Sequence, residues 1–182
     1  MTAAQVVTLL KEKQITVATA ESCTAGLLSA AITAVSGASS VFECGISAYS
    51  AEIKHGILGV PTDILEQYGT VSNETAAAMA DGVRRIAGST IGVSITGVAG
   101  PNETEGKPVG RVHIALANET RVWLQTLTPD PTLSRDAIRE KAVTTALEMV
   151  ATFADAYPTL CAGSLPLTPA TVQEVVIPSA PV

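Results

Sequence analysis

Segments with the two-residue period of a strand alternate along this chain with segments whose apolar residues recur every three to four positions. Residues 2–13 put Ala3, Val6, Val7 and Leu10 on one helical face, and residues 15–19 form a short β-rich run. Residues 24–35 read as a helix that stops at Ser36-Gly37. A strand over 41–49 precedes three helices, over 51–58, 61–69 and 72–87, the last capped by Ser72 with Glu74 in its first turn. The nearly continuous apolar run 91–96 has the character of a buried strand. A polar loop, 97–108, leads to two strands, 109–117 and 121–127, joined around Asn118-Glu119 as a hairpin. Ile138, Ala142, Thr145, Met149 and Phe153 mark one face of a long final helix.

This order, α-β-α-β-α-α-α-β-β-β-α, predicts an α/β fold. The expected architecture is a three-layer α/β/α sandwich around a mixed, mostly parallel sheet of about five strands. Aromatic residues are only 3% of the 182, so Ala, Val, Leu and Ile must build the core. Composition changes after Tyr157: five of the ten prolines fall there and charge almost vanishes. We therefore divide the chain into a domain over 1–157 and a Pro-rich tail over 158–182. The tail is either weakly structured or, given Val172, Val175, Val176 and Ile177, laid along its own domain or a neighbouring subunit.

The net charge of −6 argues against non-specific nucleic-acid binding, which needs a Lys/Arg surface to displace counterions. Three scattered cysteines and two histidines outside any metal-binding spacing make a zinc site unexpected, and no cofactor is implied. No apolar run approaches the roughly 20 residues of a membrane span. Lys11, Glu12 and Lys13 break any signal-peptide pattern, so a cytoplasmic location without membrane or nucleic-acid partners is expected.

Chemistry-bearing residues concentrate in four places. Ala20-Glu21-Ser22-Cys23-Thr24-Ala25-Gly26 lies where a strand gives way to a helix, so the Ser22 hydroxyl would stand beside N–H groups of Cys23, Thr24, Ala25 and Gly26 able to hold an oxyanion. Position alone favours simple capping by Ser22 or Thr24. Cys23 at such a place is a competing nucleophile, but no histidine pairs with it, and a small buried hydrophobe is its default role. Tyr49 ends the second strand and Lys54 follows on the next helix; parallel pairing of the first two strands would bring both toward Ser22 at the carboxyl edge of the sheet. Taken singly, Tyr49 reads as a core ring with a satisfied hydroxyl and Lys54 as a solvated helix lysine. Glycines in Thr96-Gly97-Val98-Ala99-Gly100 allow backbone N–H groups to approach a ligand, though the loop matches neither a Walker A nor a GxGxxG pattern. Arg135 and Arg139 open the last helix, where either can bind an anion or pair with Asp136 or Glu140.

Four segments in order, TAESCTAGLLSAAIT, FECGISAYSAEIKHGILGV, YGTVSNETAAAMADGV and SITGVAGPNETEGKPVGRVHIALA, strongly resemble the CinA C-terminal domain family. The similarity spans about residues 5–155, and the chain resembles the stand-alone form that includes nicotinamide-nucleotide amidases. The resemblance implies deamidation of nicotinamide mononucleotide to nicotinate mononucleotide and ammonia, with Ser22 as nucleophile, Lys54 as base and Tyr49 as a third catalytic group. It also implies a small-molecule nucleotide as partner and a homo-oligomer, dimer or higher. Ala25 stands where many members carry glycine. Thr96, Gly97, Gly100 and Arg139 are the candidates for holding the ribose-phosphate.

Overall fold

The computed structural model describes residues 1–130, 132–157 and 172–175. Its elements follow the expected order: α1 (Ala3–Lys13), β1 (Val17–Glu21), α2 (Leu27–Thr33), β2 (Phe42–Ser47), α3 (Ala51–Gly56), α4 (Thr62–Tyr68), α5 (Asn73–Ala87), β3 (Ile91–Gly97), β4 (Val112–Ala117), β5 (Val122–Leu127) and α6 (Arg135–Ala156), then β6 (Val172–Val175). Local chemistry explains the boundaries. Thr2 and Gln5 form a capping box on α1, while Ser72 and Ser134 accept the N–H groups of Thr75 and Ala137 to start α5 and α6. Gly88, left-handed at φ 62°, closes α5.

Among the described residues the sheet has six strands in the order β2-β1-β3-β4-β5-β6, against the five expected. The extra strand comes from the Pro-rich segment, where Val172–Val175 pairs antiparallel with β5; the other residues of the expected tail lie outside the described ones. The sheet is mixed as expected, with a clear division. β1 pairs in parallel with both β2 and β3, whereas the β3–β4, β4–β5 and β5–β6 ladders are antiparallel. Helical crossovers supply the parallel half, because parallel strands need a crossover, whereas in the antiparallel half the loop 98–111 joins β3 to β4 and a short hairpin joins β4 to β5.

Helices α1, α2 and α6 cover one face and bury Val6, Leu10, Leu28, Ile32, Ile138 and Phe153 with the strands beneath. Helix α5 spans the opposite face, where Met79 and Val83 meet Ala18, Ala20 and Leu58. Every predicted inward residue of α6 is buried there, and β3, covered on both sides, is buried from Ile91 through Thr96.

The connections from β1 and β2 leave in opposite directions, one to the α2 face and one through α3, α4 and α5 to β3 on the far side of β1. The carboxyl ends of β1 and β3 therefore flank the topological switch point, where open α/β sheets form a crevice.

Candidate active site

Ser22 follows β1 directly. Its N–H donates to the Ile95 carbonyl (2.9 Å), so the serine is fastened to β3 at the switch point. On the other side the Ala48 N–H donates to the Glu21 carbonyl (2.8 Å), which draws the end of β2 alongside. Ser50 caps α3, and one turn later the Lys54 side chain folds back under this junction. Lys54 is completely buried. Its Nζ donates to Ser22 Oγ at 3.0 Å and to the carbonyls of Ala48 and Tyr49 at 2.9 and 3.1 Å.

Burial holds the Lys54 amine well below an ordinary lysine, at about 8, because the charged form loses its hydration; nearby Cys23 and Glu105 counter this only in part. The two carbonyls settle how a neutral amine would sit. Carbonyl oxygens only accept, so they take both N–H bonds and leave the nitrogen lone pair facing the Ser22 hydroxyl. That is the orientation a base needs.

The turn after Ser22 differs from the expected start of a helix. Ala25 and Gly26 lie in the left-handed region at φ 50° and 100°, which no helix accommodates, so α2 begins only at Leu27. Glu21, a site residue absent from the sequence-based set, performs the capping instead. Its buried carboxylate accepts the N–H groups of Gly26 (3.1 Å), Leu28 (3.0 Å) and Ser29 (2.9 Å), and the Ser29 hydroxyl (2.8 Å). A carboxylate closing the otherwise small and apolar strand VATAE was its visible signal. Neither Ser22 nor Thr24 is the cap. The Ala25 N–H turns back to the Ser22 carbonyl (3.1 Å), and the N–H groups of Cys23 and Thr24 have no partner among the described residues. The four expected oxyanion donors thus reduce to two. The Thr24 hydroxyl, also buried, is likewise unpartnered among them.

Tyr49, expected as a third catalytic group, meets the pair through its backbone. The residue is 63% exposed, and its carbonyl accepts from Lys54. The Cys23 thiol is pushed up to about 11, first by burial, so it stays protonated where a thiolate nucleophile would be required. Thr96 is buried and donates its hydroxyl to the Thr70 carbonyl at 2.7 Å. A Cβ on Gly97 would lie 2.8 Å from the Arg111 carbonyl, so close packing against β4 already requires glycine there. Gly100, at φ 84°, accepts a hydrogen bond from Arg135 through its carbonyl. Arg139 reaches the site, but Nε and Nη2 donate to the carbonyls of Cys23 (3.1 Å) and Thr24 (3.2 Å), and Nη1 pairs with Asp136 (3.3 Å). Arg135 and Arg139 both lie close enough to act on the Cys23 thiol electrostatically.

Among the described residues no cluster of His, Cys, Asp and Glu side chains is arranged to hold a metal ion, and no helix is long and apolar enough to cross a membrane.

Fold and site together define an α/β/α protein with a buried serine–lysine pair at its switch point. A family model described as the CinA C-terminal domain matches residues 1–154, and the chain belongs to that family. A protein of Desulforamulus reducens named as a competence-damage inducible protein is 48% identical over 146 residues, 80% of this chain. A CinA-like protein of Desulfovibrio desulfuricans is 46% identical over 149 residues, 81% of this chain. The chain spans only 35% of the length of these relatives. Among solved structures, the competence/damage inducible protein CihA of Agrobacterium tumefaciens is similar with a TM-score of 0.77 and 37% identity, over 81% of this chain and 90% of that one. A CinA superfamily protein of Klebsiella pneumoniae is similar with a TM-score of 0.81 and 28% identity, over 85% and 96%.

Proposed function

We propose that this chain is an amidohydrolase that converts nicotinamide mononucleotide to nicotinate mononucleotide and ammonia through an acyl-enzyme on Ser22. The observation that carries the reading is the buried Lys54 amine, 3.0 Å from Ser22 Oγ and held by two carbonyls that turn its lone pair toward the hydroxyl. An exposed surface lysine would be an ammonium near pH 7; this one lies near 8 and has an accessible neutral form.

Lys54 takes the Ser22 proton as the oxygen attacks the carboxamide carbon. The unpartnered N–H groups of Cys23 and Thr24 receive the oxyanion. The lysine returns the proton to the departing nitrogen as the C–N bond breaks, and ammonia leaves. Water, deprotonated by the same amine, then cleaves the ester and restores the serine. The proton path is direct and needs no phenol. Arg135, whose guanidinium reaches the Gly100 carbonyl beside the Gly97–Gly100 loop, is the cation that suits a substrate carrying a phosphate.

The test is ammonia release from nicotinamide mononucleotide by the wild-type chain beside Ser22→Ala, Lys54→Ala and Lys54→Arg. Activity in wild type and its loss in all three variants is the expected result. Release no faster than the Ser22→Ala background would reject this substrate, and a panel of other small amides would then show whether another is used. Tight nucleotide binding by wild type and Lys54→Ala alike, with turnover in neither, would replace the enzyme with a binding module.

A further inference from the structure

We infer that Arg139 is a positioning residue, acting on the reaction by fixing the peptide plane that presents the Thr24 N–H as an oxyanion donor. The inference rests on the acyl-enzyme reading above and concerns how the turn after Ser22 keeps its shape.

That turn has few bonds of its own. It crosses two left-handed residues, Ala25 and Gly26, and belongs to no helix or strand. Two oppositely charged side chains grip it from opposite ends. Glu21 takes its later N–H groups, while Arg139, projecting from the first turns of α6, takes the consecutive carbonyls of Cys23 and Thr24. A trans peptide is planar, with its C=O and N–H antiparallel. Holding the Cys23 carbonyl on the α6 side therefore turns the Thr24 N–H to the opposite side. Holding the Thr24 carbonyl fixes the next plane, whose Ala25 N–H closes the turn on Ser22.

Without the guanidinium the Cys23–Thr24 plane can rotate, whereas the Thr24–Ala25 plane is still held by the Ala25 N–H on the Ser22 carbonyl and the Leu27 N–H on the Thr24 carbonyl. A carbonyl oxygen would then stand where a donor is needed and repel the oxyanion instead of binding it. Only a fork geometry reaches two adjacent carbonyls at once, which is a property of arginine and not of lysine. Asp136, one turn earlier on α6, holds the outer edge of the same guanidinium and leaves its inner edge on the turn. The positive charge also polarises the Cys23–Thr24 peptide in the sense that strengthens its N–H as a donor.

The experiment compares wild type with Arg139→Gln and Arg139→Lys. It measures kcat and KM for amide hydrolysis and, separately, the rate at which a fluorophosphonate adds to Ser22, read as intact mass, with Ser22→Ala as the specificity control. Thermal midpoints establish that each variant is folded. For Arg139→Gln, kcat and the labelling rate should fall about 10- to 100-fold, less than the 10²–10³ of losing a donor outright, with KM within about threefold. Arg139→Lys should recover part of both rates, since one ammonium can hold one carbonyl. If Arg139→Gln does not fold, the lysine variant decides alone, and full kcat in it overturns the inference. Unchanged rates in folded Arg139→Gln overturn it too. So does a rise in KM at constant kcat, which would make Arg139 a substrate contact. A wild-type chain that neither turns over amides nor takes up label would instead reject the acyl-enzyme reading, and this inference with it.

Discussion

Lys54 sits where the chain gains nothing in stability from a charged group. Its amine falls from the ordinary 10.5 to about 8 because burial removes hydration that two carbonyls and a hydroxyl only partly replace. Two consequences have opposite signs. For catalysis the neutral form is required, so kcat/KM should rise with pH through about 8 and level off above it, a profile measured between pH 6 and 10. For stability the folded state binds its proton less tightly than the unfolded chain. Lys54 therefore opposes folding most strongly below pH 8, and the opposition fades as pH rises from about 8 to 10.5. Lys54→Met should be inactive yet more resistant to urea at pH 7, a trade expected where a site is held against the fold's preference. Ala25 makes a smaller case. At φ 50° it carries left-handed strain of about 1–2 kcal/mol, so Ala25→Gly should raise stability by about 0.5–1 kcal/mol after the unfolded-chain entropy of glycine is subtracted, visible as a denaturant midpoint shift.

At the scale of elements, helix starts were legible wherever the chain carries its own cap. Ser72 and Ser134 behave as their sequence context requires, because capping is a contact between residues three apart. Helix α2 starts three residues later than its sequence predicts, since a carboxylate from the preceding strand caps it across the nucleophile turn and the sequence rule looks only at the neighbouring position. Glu21→Gln should accordingly be costly. The amide keeps one acceptor oxygen and sets an NH2 against donors that the second oxygen now receives, leaving buried N–H groups unpaired. A loss of about 2–4 kcal/mol in urea unfolding is expected from two such groups. The same variant should lower catalytic rate, because the turn that Glu21 holds is the one that presents Ser22.

Across the whole molecule, His113 links the layers. Its Nδ1 lies 2.7 Å from Asn73 Oδ1 and 3.1 Å from Thr126 Oγ1, joining β4 to the start of α5 and to β5. Burial first, then the nearby Arg111 and Lys107 charges, depress the imidazole to about 4 from its ordinary 6.5. Between these values the unfolded chain binds the proton and the folded one does not. Its contribution is therefore complete above pH 6.5 and lost as pH falls toward 4. His113→Gln, which can keep a hydrogen bond but cannot titrate, should flatten the decline of unfolding free energy across that window, as followed by urea titrations at successive pH values.

The order of elements, the buried β3 and the inward face of α6 were determined by sequence alone, because strand and helix periodicities and serine caps are local rules written into a few adjacent residues. The resemblance marked Ser22 and Lys54 as a pair, but nothing local fixes the state of an amine. Its contact with a hydroxyl 32 residues away, its burial, the exposure of Tyr49 and the occupation of Arg139 by the chain's own carbonyls were decided only when distant segments met at one edge of the sheet. Desolvation and orientation belong to that assembled environment, and no short stretch of sequence contains it.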